Sequence, residues 1–96
     1  MIRIIEGRGT GKTSRLMLLA KENNCVIVCS NPRAMEEKAR CYGIDGLQFI
    51  SYFEFLKEPH DYSDYYIDEL EPFLYYFHHY NGFRGELKGY TISLED

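Results

Sequence analysis

Gly7, Gly9 and Gly11 alternate through Glu6 to Thr13, E-G-R-G-T-G-K-T, a segment that ends in Gly-Lys-Thr. Glycines at this spacing let a backbone wrap an anion, because no Cβ blocks close approach and the N–H groups can all turn inward. Lys12 supplies a point charge suited to the β- and γ-oxygens of a polyphosphate, and Thr13 a hydroxyl of the kind that joins a Mg²⁺ shell. A helix starting here adds its N-terminal N–H groups and positive dipole end. The chemistry implied is phosphate binding, with Gly7, Arg8, Gly9, Thr10, Gly11, Lys12, Thr13 and Ser14 as the candidate cradle.

A second pair complements the first. Tyr65 to Glu69 read Y-Y-I-D-E, a hydrophobic run that closes on two carboxylates. Asp68 at the end of a buried strand can hold a metal shell together with Thr13, and Glu69 can orient or deprotonate an attacking water, so that Glu69 and Lys12 are the candidate catalytic groups. The same two acids could instead open a helix, where the N-terminal dipole favours them. Motif order and spacing favour the catalytic pairing: loop first, helix next, acidic strand end later.

In motif terms these are a Walker A loop and a Walker B strand. The full G-x-x-x-x-G-K-[ST] pattern needs glycine at position 6, where this chain has Glu6; the shorter G-x-G-K-T from Gly9 to Thr13 is intact.

The elements that must position these groups alternate between strand and helix. Ile2 to Ile5 reads as a first strand, Lys12 to Asn23 as a helix with Leu16, Leu19 and Ala20 on one face, and Cys25 to Cys29 as a strand covered on both sides. Asn31 as cap, Pro32 at the first helical position and Gly43 past the end delimit a second helix, with Met35, Ala39 and Tyr42 inward. Leu47 to Ile50 is a third strand. Ser51-x-x-Glu54 is a capping box opening a short helix through Lys57 that Pro59 ends, and His60 to Asp64 is a polar loop. After the acidic strand, Pro72 lies near the start of a helix to Tyr80, stopped by Asn81-Gly82, and Gly89 to Leu94 is strand-like. Five strands separated by helices predict an α/β fold of three layers, α/β/α, with a five-stranded, mainly parallel sheet: a P-loop NTPase-like domain of minimal size over residues 1–96.

The order of motifs resembles the first RecA-type domain of superfamily-two helicases. In that resemblance Gly9 to Thr13 is motif I, Asp68-Glu69 motif II, Ser30-Asn31-Pro32-Arg33 the position of the first motif that contacts single-stranded nucleic acid, Ile50-Ser51-Tyr52 the segment after strand three, and Thr91-Ile92-Ser93 the position of a coupling motif. It implies the strand order three, two, four, five, one. The chain is also similar to short P-loop proteins of bacteriophage and mobile elements in Gram-positive bacteria. That similarity implies a bacterial host cell. Together the resemblances imply Mg-dependent binding of ATP, or GTP, with hydrolysis completed by an arginine from Arg8, Arg33, Arg84 or another chain. ATP is favoured by the helicase likeness and by the lack of a guanine-reading Asn-Lys-x-Asp sequence.

Bulk properties set bounds. At 96 residues the chain is one domain, smaller than a nucleotide-hydrolysing unit with accessories, so a missing part is expected from elsewhere. Arg3, Glu6 and Arg8 interrupt the amino terminus, no apolar run approaches a membrane span, and a cytoplasmic protein with no membrane partner is expected. Cys25, Cys29 and Cys41 have neither zinc nor disulfide spacing, and His60, His78 and His79 form no ligand set. Residues 1–44 carry eight Lys/Arg against four Asp/Glu, and residues 45–96 three against eleven, within a net charge of −4. That asymmetry argues against a single basic nucleic-acid face, and nucleic acid is the weaker partner expectation.

Twelve of the fifteen aromatics lie between Tyr52 and Phe83. Consecutive helical residues point about 100° apart, so Tyr75, Tyr76, Phe77 and Tyr80 cannot share one core face. Core packing or a protein interface would both use them. The alternative function is therefore a non-catalytic interaction protein, a phage-encoded inhibitor or adaptor of a host protein, or a self-associating one, that keeps the fold. A small-molecule kinase is disfavoured, since little chain remains for an acceptor site and lid.

Overall fold

The computed structural model describes residues 1–5, 7, 9, 11–57 and 64–93. Each helix is bounded by local chemistry. Helix α1 (Lys12–Asn23) starts at Gly11, φ 80°, and ends where Asn24 turns left-handed at φ 55° and donates its N–H to the carbonyls of Ala20 and Lys21. Helix α2 (Pro32–Tyr42) is capped by Asn31, whose side chain accepts from Ala34 N at 3.2 Å, and closes on Gly43 at φ 72°. Helix α3 (Tyr52–Lys57) is capped by Ser51, whose Oγ accepts from Glu54 N at 3.1 Å. Helix α4 (Leu70–Tyr80) follows Glu69 directly.

Strands β1 (Val26–Cys29), β2 (Phe49–Ser51) and β3 (Tyr65–Ile67) form a parallel sheet in the order β2-β1-β3. Ile27 lies opposite Phe49 on one side of β1 and Tyr66 on the other. The β2 ladder is already joined at Gln48, whose carbonyl accepts from Ile27 N at 2.9 Å, so the strand sits slightly later than Leu47 to Ile50. These three strands keep the relative order three, two, four.

All four β1 residues are buried, as a central strand covered on both faces requires. Alternation sorts them. Ile27 and Cys29 join Leu16, Met17 and Ala20 of α1 and Met35 and Ala39 of α2 in one core cluster. Val26 and Val28 point the other way, where α3 packs on β1, α4 packs on α3, and Tyr52 is buried. Tyr42, expected on the inner face of α2, is half exposed.

The chain is α/β, but among the described residues the sheet has three strands, and the expected five-stranded P-loop NTPase-like fold is not formed. Residues 2–5 enter no ladder: Ile2 and Ile5 are exposed, and of that run Ile4 packs against the core. A strand buried on both faces must cover successive side chains, and here it cannot. Residues 89–93 are likewise not a strand, and Leu94 lies outside the described residues. Side-chain tethers hold this tail along α4 instead: the His78 ring meets the Gly85 carbonyl, and the Tyr90 hydroxyl donates to a Glu71 carboxylate oxygen. Pro59 and residues 60–63 of the expected loop also lie outside the described residues. No helix among those described is long and apolar enough to cross a membrane.

Candidate functional site

In open parallel sheets ligands bind beyond the carboxyl ends of the strands, in the crevice where the strand order reverses direction. Here the chain leaves the central β1 for β2 on one side and then crosses to β3 on the other, so that crevice lies between β1 and β3. Asp68 N donates to Val28 O at 2.9 Å, which extends the β1–β3 ladder by one bond and sets Asp68 at the mouth of the crevice.

Helix α1 packs on both β1 and β3 and brings its N-terminus to the same place. Gly9 and Gly11 have φ of 78° and 80°, values that L side chains rarely adopt, so the glycines are required by the backbone. The helix has no side-chain cap at Gly11 and no acid in its first turn, so its positive end is not neutralised from within α1. Ser14 Oγ donates to Gly11 O at 2.9 Å, bracing the turn. Gly7 has open space where a Cβ would stand. Arg8 and Thr10, with Glu6, lie outside the described residues.

Two of the expected groups meet directly. Lys12 Nζ lies 3.5 Å from Glu69 Oε1, with the lysine side chain 24% and the glutamate 51% exposed. Thr13 is half-buried beside Lys12, and Asp68 directly precedes Glu69, so both motifs converge on one junction. Burial, and next the Glu69 charge, push the Asp68 carboxyl above its ordinary value, while Lys38 and Lys12 pull it down. A carboxylate disfavoured in this way gains from a nearby cation.

The donors present, a hydroxyl and a carboxylate, are hard oxygens that fit Mg²⁺. Among the described residues no three His, Cys, Asp or Glu converge, so the remaining ligands would come from phosphate oxygens and water, the usual arrangement for Mg²⁺ at phosphoryl sites.

Glu69 is both a candidate catalytic group and the residue that opens α4. Its backbone is left-handed, φ 63° and ψ 85°, and its side chain makes no capping bond to α4. Arg33 lies exposed in the first turn of α2 and Arg84 exposed in the tail beyond α4. Two residues act on the acidic pair in ways that residue type does not signal. Lys38 of α2 acts on Asp68 through its charge, but it reads as one more surface lysine. Tyr52 of α3 donates its hydroxyl to the carbonyls of Asp68 and Glu69, but it reads as one more core aromatic.

No protein-family model matches this chain, and no curated protein and no solved structure matches it either. The functional reading therefore rests on the residues and their geometry.

Of the thiols, Cys29 is buried, Cys25 half-buried and Cys41 exposed. Burial first, then the Asp68 charge, push the Cys29 thiol up to about 11.

Proposed function

We propose that this chain binds a nucleoside triphosphate with Mg²⁺ at the junction of α1 and β3, ATP ahead of GTP, and hydrolyses it when a second surface completes the site. The observation that carries this reading is the Lys12–Glu69 contact at 3.5 Å, which joins the glycine-rich loop to the acidic strand end. The left-handed Gly9 and Gly11, the uncapped start of α1 and the raised Asp68 carboxyl all favour an incoming polyanion with its cation.

In this reading Gly9 and Gly11 allow the phosphates to approach the backbone, and Lys12 binds the β/γ oxygens. Thr13 and Asp68 would hold Mg²⁺, which when bound neutralises charge on the transferring phosphoryl group. Glu69 pairs with Lys12; with Lys12 engaged by phosphate, its carboxylate would be left to orient water. By its resemblance to phage P-loop proteins we infer the cytoplasm of a bacterial host cell as its setting. Calorimetric titration of ATP with and without Mg²⁺ tests the reading: binding that strengthens with Mg²⁺ supports it, and no heat under either condition refutes it.

A second reading, an interaction protein, is favoured by one specific observation. Tyr75, Tyr76, Phe77 and Tyr80 of α4 are 43–62% exposed, and Phe83 beyond it is 57% exposed. Exposed aromatics in the acidic half suit self-association or a host protein partner.

A further inference from the structure

The Glu69 backbone is held where glutamate is not at home. A non-glycine residue at φ 63° and ψ 85° is strained and persists only where its surroundings impose it. The imposing group is visible. Tyr52, 1% exposed, follows the last residue of β2 and reaches beneath the end of β3. The carbonyls of Asp68 and Glu69 both converge on its hydroxyl, the Glu69 oxygen at 3.0 Å. Its ring is wedged against Phe73 and Tyr76 of α4, each with ring centroids 5.6 Å away.

Successive carbonyls in extended chain point in opposite directions, and here the left-handed turn at Glu69 brings both to one donor. The same reversal turns the Glu69 side chain out of the capping position on α4 and towards Lys12. We propose that Tyr52 is a positioning residue: its buried hydroxyl gathers the Asp68 and Glu69 carbonyls, locks residue 69 in the left-handed conformation, and thereby aims the Glu69 carboxylate at Lys12 and the phosphate site. The consequence for turnover rests on the nucleotide-binding reading; the backbone consequence does not. Burial and the neighbouring carboxylates keep the phenol protonated, so the donor persists across ordinary pH.

Tyr52→Phe keeps the ring and removes only the hydroxyl. NMR of the labelled variant, through residue 69 backbone couplings and intraresidue NOEs, is expected to show φ moving from positive to negative. Turnover of Mg-ATP is expected to fall about tenfold or more with KM changed less than about threefold, the split that misorientation of a water-handling group produces. A variant that keeps positive φ at residue 69 overturns the proposal. Two measurements on the wild-type protein stand whether or not the variant folds. The Tyr52 hydroxyl proton should exchange slowly, and its replacement by deuterium should shift the carbonyl carbons of residues 68 and 69; rapid exchange with no isotope shift overturns the proposal. Failure of the wild type to bind Mg-ATP while residue 69 responds to Tyr52→Phe refutes nucleotide binding and supports the positioning role.

Discussion

Lys12 and Glu69 stand 3.5 Å apart, Nζ to Oε1, although one opens the first helix and the other precedes the last. Half of the glutamate side chain is exposed, so this ion pair contributes little to stability. Its significance lies in where it sits, at the carboxyl edge of the sheet between β1 and β3.

Glu69→Gln separates the two roles of that residue. The variant should unfold within about 1 kcal/mol of wild type, the range for solvent-exposed pairs, and should keep Mg-nucleotide affinity while losing turnover. Urea denaturation and a phosphate-release assay measure both. Turnover equal to wild type would remove Glu69 from the chemistry.

Asp68→Asn should stabilise the nucleotide-free protein. The folded state raises this carboxyl, so it holds the proton more readily than the unfolded chain does, and ionised Asp68 weakens folding above the unfolded-state value near pH 4. The variant's advantage should appear as a Tm gain of a few degrees at neutral pH, since about 1 kcal/mol moves Tm by roughly 4–8 °C in a domain of this size. It should vanish below about pH 4. The same variant should lose the Mg²⁺ dependence of nucleotide binding. A lower Tm at pH 7 would contradict the desolvation argument.

Cys29 sets an alkaline limit. Its thiol ionises near 9.0 when unfolded and only at about 11 in the fold, so stability is unaffected below pH 9 and declines from there to about pH 11. Denaturation at pH 8, 9 and 10 should show the decline, and Cys29→Ala, though weaker throughout, should show less of it. Thiol reagents at neutral pH should label exposed Cys41 first and Cys29 only on unfolding.

The aromatic face of α4 predicts association. Sedimentation at micromolar concentration should show self-association that Tyr75→Ser with Tyr80→Ser reduces, both residues being exposed. A strictly monomeric wild type would leave a host protein as the remaining partner class for this face.

Local chemistry made much of this fold legible. Asn31, Pro32 and Gly43 bound α2 through caps that act within a few residues, and Ser51 with Glu54 opens α3 in the same way. The terminal segments differ from expectation because an apolar or alternating run makes a strand only if a sheet edge receives it. Residues 2–5 keep two of their three apolar side chains in solvent, and residues 89–93 follow Tyr90 and the His78–Gly85 contact along α4. At the site, Lys12, Asp68 and Glu69 were recognisable by motif. The left-handed backbone of Glu69 and its hydroxyl clamp from Tyr52 were not, since a long-range contact to a main-chain oxygen leaves no mark on residue type.

The most direct test of nucleotide binding compares ATP and ADP, each with Mg²⁺, titrated calorimetrically into wild type and Lys12→Ala. The ammonium is suited to the β/γ oxygens, so the variant should lose affinity for ATP by at least about tenfold more than for ADP, a difference near 1.4 kcal/mol. Equal affinities of the two proteins for both nucleotides would contradict a phosphate site at Lys12.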